Sequence, residues 1–170
     1  MLAGYQAQRA LVLSEWESLD DPIGEISWST GPDTSIFMLK PLSRGSVNIA
    51  SASILDDPVI DFGALKDEND LELVLALVKK NREIMALPEI QALGPIELTP
   101  GANITTDDTL RAALRSLIVP SNAHMCCTNP MMKLELGGVV DGELKVHGIS
   151  GLSVVDASVF PFIPAGGKSY

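Results

Sequence analysis

The side chains best suited to chemistry lie near the end of the chain, in a run that begins at His124. Seven residues follow it in a turn-rich order: Met125, Cys126, Cys127, Thr128, Asn129, Pro130 and Met131. An imidazole can take or release a proton at neutral pH because its unperturbed pKa is about 6.5. His124 is therefore a candidate for acid–base chemistry. The alternative interpretation is a buried, hydrogen-bonded histidine.

The sequence positions of four other ionisable residues favour structural roles. Asp141 and Asp156 each follow two valines, a position from which a carboxylate caps a strand end or accepts turn amides. His147, between Val146 and Gly148, is predicted to be structural. Arg44, in the bend that Pro41 and Gly45 frame, is predicted to be a turn or salt-bridge residue.

The two cysteines are neighbours, and the ring that a bond between them would close is strained. We therefore predict small core residues rather than a disulfide framework. His124 and His147 come with no matched ligand set, so no metal site is predicted. Four methionines can line an apolar pocket or fill the core: Met85, Met125, Met131 and Met132.

Hydrophobic periodicity predicts three helices that would support these residues. They cover Tyr5–Leu19, Asp70–Leu87 with Asn69 or Asp70 as its cap, and Asp107–Ile118 with Thr105 or Thr106 as its cap. Pro22 and Pro88 are expected to end the first two.

Short apolar and alternating runs predict strands early and late in the chain. Ser35–Lys40 and Ser46–Ser53 are expected to form a hairpin, and Val59–Asp61 is a short extension. Glu143–His147 and Leu152–Val155 are expected to be two further strands, joined through Gly148 and Gly151. Strands at both ends with helices between them predict an α+β fold, organised as a single domain over residues 1–170.

Composition excludes several classes of protein. The chain has 170 residues, 46% hydrophobic and 20% charged, which is typical of a globular domain. Its net charge of −10, without a basic cluster, argues against a nucleic-acid partner. Its apolar runs are far shorter than the ~20 residues that cross a bilayer, so no membrane role is predicted. The first residues do not read as a signal peptide, and a cytoplasmic location is expected.

Four segments, in this order, resemble the C-terminal portion of the glucose–methanol–choline (GMC) oxidoreductases. They are Leu39–Val47 with its Pro-x-Ser-Arg-Gly core, Asp57–Asp61, the His124 run, and Gly138–Pro161. The resemblance implies the fold of the GMC substrate-binding domain, an antiparallel or mixed sheet with helices on one face. It also implies oxidation of an alcohol of a small apolar molecule with FAD.

The same resemblance implies roles for particular residues. His124 matches the catalytic base, and the segment Asp156, Ala157 and Ser158 matches the one that passes along the flavin. The family's second catalytic residue, a His or Asn, falls on Gly167, and the family glycine after the first His is Cys127. The Gly-x-Gly-x-x-Gly pattern that binds the FAD pyrophosphate does not occur in this sequence.

Three functions remain open at this point. The first is the substrate half of an FAD-dependent oxidoreductase that works with a separate FAD-domain partner. The second is a stand-alone, cofactor-free cyclase, isomerase or dehydratase, of the kind used in fungal secondary metabolism, with His124 as acid or base. The third is a non-catalytic binding module or a truncated remnant. A homo-oligomer, in the simplest case a homodimer, is expected where no partner domain covers the apolar contact surface.

Overall fold

The computed structural model describes residues 2–28, 34–121 and 123–164. These residues form helices α1 (Leu2–Glu17), α2 (Glu68–Met85), α3 (Pro88–Gln91) and α4 (Asp107–Leu117). They also form strands β1 (Gly24–Trp28), β2 (Thr34–Met38), β3 (Ser46–Asn48) and β4 (Val59–Asp61). Two short 3-10 helices follow, at Leu134–Leu136 and Ala157–Val159.

Helix α2 forms where its periodicity predicts it, but its cap differs from the expected one. The side chain of Asp67 accepts a hydrogen bond from the backbone N–H of Asn69, so Asp67 is the N-cap. The prediction of Asn69 or Asp70 is wrong, because Asp70 is fully buried one turn further on. Pro88 lies beyond the end of α2, as predicted, and begins the short helix α3.

The main core lies between α2, α4 and the β1–β2 sheet. Its buried members are Leu65, Leu71, Val74, Leu75, Val78, Leu110 and Leu114, with Ile36, Met38, Ile104 and Ile118 packed against them. Helix α4 begins at the predicted cap, Thr106, whose side chain accepts a hydrogen bond from the N–H of Thr109. Helices on one face of an antiparallel sheet confirm the α+β fold class.

Strand pairing differs from the predicted hairpin. Strand β2 pairs with β1, whose Glu25 lies opposite Phe37, and β3 pairs instead with β4. The link between β2 and β3 is not free to turn, because the buried Asp70 carboxylate accepts the N–H groups of Leu42 and Ser43, both at 2.8 Å. The predicted β2–β3 hairpin is therefore wrong, and β1 was not predicted from the sequence.

Helix α1 packs against the C-terminal region. It covers Leu2–Glu17 rather than the predicted Tyr5–Leu19. Gly4 lies so close to the carbonyl of Leu136 that an added Cβ would stand 1.6 Å from that oxygen. Gln8 donates a hydrogen bond of 2.8 Å to the carbonyl of Pro161, and these contacts fix α1 against the C-terminal region.

The two late strands predicted from sequence are wrong. Residues 143–147 and 152–155 form single bridges, Val140 with Val146 and Lys145 with Ser153, rather than a ladder. Gly148 and Gly151 both have φ of +76°, so the backbone reverses twice within a few residues. Such tight turns leave too little extended chain for strands.

No helix in the described ranges is long and apolar enough to cross a membrane. The single-domain organisation and the cytoplasmic location stay predictions.

Candidate functional site

His124 lies in the segment that follows α4, and it is exposed. Its backbone N–H donates to the Oγ atom of Ser121 at 3.3 Å. The interpretation of His124 as a buried core residue is therefore wrong. An exposed imidazole can exchange a proton with a bound molecule or with solvent.

The backbone places the His124 run beside the predicted flavin-facing segment. The N–H groups of residues 127, 129 and 131 donate to the carbonyls of residues 157, 158 and 159, at 3.3, 2.9 and 2.8 Å. The amide of Asn129 also donates to the hydroxyl of Ser158 at 3.0 Å. Two segments about 30 residues apart in sequence are thus held in a fixed register.

Asp156 is the cap of the second 3-10 helix, and its carboxylate is already engaged. It accepts the backbone N–H of Ser158 at 2.9 Å and the hydroxyl of the same residue. These bonds, the hydroxyl's first, lower the pKa of Asp156 below its ordinary value. The residue is exposed and carries its negative charge at neutral pH.

Asp141 has the structural role that its position after two valines predicts. Its carboxylate accepts the N–H groups of Glu143 at 2.9 Å and Lys145 at 3.0 Å, and these bonds lower its pKa. Val140, immediately before it, is completely buried. Together they anchor the turn-rich segment that supports the His124 run.

His147 and Arg44 also have structural contacts. The Nε2 atom of His147 lies 3.0 Å from the carbonyl oxygen of Met132. Arg44 donates to the carbonyls of Pro41 at 3.0 Å and Ser43 at 3.2 Å, which confirms it as a turn residue. The buried Asp70 carboxylate also holds this turn, since it accepts the N–H groups of Leu42 and Ser43. The sequence predicted Asp70 only as a helix cap, because acidic residues are common in any first helical turn.

A shallow cleft of about 220 Å³ opens between α1 and the C-terminal region. It is lined by Tyr5, Gln8, Pro130, Met132, Leu136 and Gly137. Of the four methionines considered as pocket residues, Met132 lines it. Its lining includes neither His124 nor the segment 156–158, so the described residues do not enclose the predicted catalytic base in this cleft.

Two exposed apolar side chains next to the predicted site residues are suited to contact with a planar ring. Met125 and Val155, the chain neighbours of His124 and Asp156, are 63% and 77% exposed and offer apolar surface. The phosphates of FAD would need donors from elsewhere, since the glycine pattern that holds them is not in this sequence. Gly167, which occupies the second catalytic position, lies outside the described residues. Within the described ranges, no group of three or more His, Cys, Asp and Glu residues is placed to hold a metal ion.

Comparison with known protein families identifies the family of this chain. The family model described as GMC oxidoreductase, in its C-terminal form, matches residues 41–169. The chain belongs to the GMC oxidoreductase family. The resemblance inferred from the four sequence segments is confirmed, and the GMC match covers both His124 and the segment 156–158.

Curated GMC relatives come from fungi and bacteria. The chain is 42% identical over 161 residues to dehydrogenase xptC of Emericella nidulans, covering 95% of this chain and 26% of that protein. It is 35% identical over 148 residues to an alcohol dehydrogenase [acceptor] of Pseudomonas putida, covering 87% of this chain and 26% of that protein. The chain thus spans about a quarter of the length of these relatives.

Solved GMC structures share its fold closely. An FAD-dependent oxidoreductase from Chaetomium thermophilum superposes with a TM-score of 0.91 at 47% identity, covering 96% of this chain and 28% of that one. A fungal aryl-alcohol oxidase superposes with a TM-score of 0.87 at 37% identity, covering 97% and 28%. The backbone therefore follows the C-terminal fold of intact GMC enzymes.

Proposed function

We propose that this chain forms the substrate-facing part of an FAD-dependent alcohol oxidoreductase, with His124 as its general base. The observation that carries the proposal is the backbone register between the His124 run and residues 157–159. That register pairs the run that begins at the exposed His124 with the segment Asp156, Ala157 and Ser158. A proton acceptor beside a ring-contacting segment is the arrangement that alcohol oxidation needs.

The chemistry divides between the cofactor and this chain. FAD, when bound, accepts the hydride that leaves the alcohol carbon. His124 takes the hydroxyl proton, and the residue is exposed to solvent. Residues 157 and 158 hold the run in place, because their carbonyls accept its N–H groups. The charged Asp156 caps the following 3-10 turn through the N–H of Ser158.

The names of the relatives support an alcohol as substrate. One is an alcohol dehydrogenase and one structure is an aryl-alcohol oxidase. The exposed apolar side chains near His124 favour a small, mostly apolar alcohol over a charged one. Such a substrate gains from burial of apolar surface when the site closes.

The surface of the chain supports a covering partner. Strands β3 and β4 are exposed along their whole length and contact each other but no other described helix or strand. Apolar residues dominate this ribbon and the turns within it: Val47, Ile49, Ile54, Leu55, Val59 and Ile60 are 50–98% exposed. An isolated two-stranded ribbon is marginally stable in water, so we propose that a flavin-binding portion or a second copy of the chain covers it.

The test is the visible absorption spectrum of the purified chain after incubation with excess FAD and gel filtration. Flavin bands that co-elute with the protein, together with oxidation of benzylic alcohols, would support the proposal. The same measurement on the Ser158→Ala variant tests whether the segment 156–158 contributes to flavin binding. Ser14→Ala, a change on an exposed face of α1, is the matched control.

A folded protein that stays colourless would contradict autonomous flavin binding. Light scattering then separates the remaining possibilities. A stable homo-oligomer would point to the cofactor-free cyclase, isomerase or dehydratase, or to a binding module. A monomer that gains flavin bands only when mixed with a flavin-binding portion of a relative would place the cofactor contacts in a separate partner.

A further inference from the structure

The two adjacent cysteines stand out from the rest of the His124 run. Their Sγ atoms lie 2.7 Å apart, and both residues are half-buried. No disulfide bond joins them in this structure. A disulfide bond is about 2.05 Å long, so the sulfur atoms need to approach by only about 0.7 Å to bond.

The backbone explains how neighbouring side chains meet. In extended backbone, successive side chains point to opposite sides and cannot touch. Cys127 has φ of +74°, in the left-handed region, and this breaks the alternation. The family pattern has a glycine at this position, for which such a φ carries no steric cost. Cys127 adopts a left-handed conformation that suits glycine and adds a thiol beside that of Cys126.

Two backbone hydrogen bonds hold the chain at Cys127 and just after it. Its N–H donates to the carbonyl of Ala157 at 3.3 Å, and two residues later Asn129 donates to Ser158 at 2.9 Å. The thiol pair is therefore held by the same register that organises the candidate site. Two reacting groups held in contact react far faster than two that must meet by diffusion.

We propose that Cys126 and Cys127 form a vicinal dithiol site that a hydroperoxide oxidises reversibly to a disulfide. This inference does not depend on the function proposed above, since it needs no flavin and no substrate.

The oxidation balances with hydrogen peroxide as the oxidant. One thiolate attacks a peroxide oxygen, the O–O bond breaks, and a sulfenic acid forms with release of water after protonation. The neighbouring thiol then attacks the sulfenic sulfur, the S–S bond forms, the S–O bond breaks and a second water leaves. The two thiols lose two electrons and two hydrogens, and the peroxide is reduced to two water molecules.

The product is expected to be easily reduced. Adjacent Cα atoms are about 3.8 Å apart, below the usual span between bridged cysteines. Bridges closed under such constraint are the labile ones, and a dithiol reductant should open this one completely.

The experiment treats the purified chain with a small excess of hydrogen peroxide and follows its intact mass. We expect a loss of two hydrogens, about 2 Da, in the monomer, reversed by dithiothreitol. The peptide that contains both cysteines should carry the change. Phenylarsine oxide, which bridges two close thiols with loss of water, is expected to bind the reduced chain and to be excluded by prior oxidation.

The single variants Cys126→Ser and Cys127→Ser are matched controls, because each removes one thiol and keeps its volume. Neither variant should show the 2 Da decrease in mass on oxidation. Each should bind phenylarsine oxide about 100-fold more weakly, since the second thiol contact is gone. The variant Cys127→Gly restores the glycine of the family pattern and should behave in the same way while relaxing the backbone. Circular dichroism verifies that each variant is folded.

Three outcomes would overturn the proposal. The first is an oxidised chain that only gains oxygen atoms, the second is a disulfide-linked dimer without the intramolecular loss, and the third is a single-cysteine variant that binds phenylarsine oxide as tightly as the parent chain.

Discussion

The helical core and the C-terminal region of this chain are stabilised by different kinds of interaction. Helices α2 and α4 bury a contiguous apolar cluster against the β1–β2 sheet. Residues 123–164 bury few apolar side chains, among them Val140 and Val159, and are held by hydrogen bonds between turns. The first region is stabilised by area removed from water, and the second by the geometry of its backbone.

The difference separates stability from chemistry. The core depends on its buried apolar cluster, whereas the register of the C-terminal region depends on a set of hydrogen bonds between turns. Candidate functional side chains are located on the second kind of backbone, where turns expose them, and helix α1 packs against that region through Gly4 and Gln8. Mutations in the two regions should therefore affect different measurements.

The largest expected effect is on activity, at His124. In an active flavin-loaded preparation, His124→Ala should lower kcat by about 10² to 10⁴, the usual contribution of a positioned base. Its melting temperature should hardly change, because the residue is exposed. His147→Ala is the control with the reverse pattern: it loses the contact with Met132 and should lower stability by about 1 kcal/mol. Full activity in His124→Ala would remove this residue from the mechanism.

The core should respond most strongly in stability. Leu71 is 1% exposed and packs between α2 and α4, so Leu71→Ala should reduce the free energy of unfolding by about 2–5 kcal/mol. Leu93→Ala changes a leucine that is 73% exposed and should stay within about 0.5 kcal/mol of the parent. Urea unfolding compares the two. Equal effects would mean that the cluster around α2 is not the main source of stability.

An intermediate effect is expected at Asp70, which connects the core to the turn before β3. Its buried carboxylate accepts two backbone N–H groups, and an amide in its place can accept with only one of its two terminal atoms. Asp70→Asn should cost about 2 kcal/mol in the free energy of unfolding. Asp108→Asn, with a side chain that is 97% exposed, is the matched control. A parent-like unfolding curve for Asp70→Asn would show that the turn does not depend on this charge.

The smallest effect is a pH dependence to which Asp141, in the C-terminal region, contributes. The pKa of Asp141 is lowered in the folded chain by the N–H groups of Lys145 and Glu143, whereas the unfolded value is about 3.9. The stabilisation is therefore complete above about pH 4 and is lost as the pH falls through the folded pKa below it.

The variant Asp141→Asn should flatten the acid limb of a plot of melting temperature against pH. Asp57→Asn, a change at an exposed carboxylate before β4, is the control and should leave the limb in place. An unchanged acid limb in Asp141→Asn would assign acid sensitivity to other carboxylates.

Local sequence signals were sufficient for the helices but not for the sheets. The apolar stripe of α2 and the threonine cap of α4 are short-range patterns, so the sequence alone predicted both helices. The pairing of β2 with β1 rather than β3 depends on Asp70, which lies about 30 residues further along the chain. The late strands failed because Gly148 and Gly151 adopt left-handed turns, whereas the alternating valines around them favour extended chain.

The candidate site was predicted in part for a related reason. Motif order identified His124 and the segment Asp156, Ala157 and Ser158 as candidates, and the family model covers both. That the two segments lie side by side became visible only in the structure, since hydrogen bonds such as that from Asn129 to Ser158 span a long separation in sequence. The contact between the Cys126 and Cys127 thiols was also hidden, because a positive φ at a cysteine is set by its surroundings.

The sequence by itself determined the family of this chain, its α+β class, its main helices and the identity of the residues able to do chemistry. These depend on residue type and short-range spacing, which the linear order contains. The tertiary structure alone decided which strands pair, which carboxylate is buried, and which two segments form one candidate surface. Those outcomes depend on packing and hydrogen bonds between distant parts of the chain, and no local pattern contains their geometry.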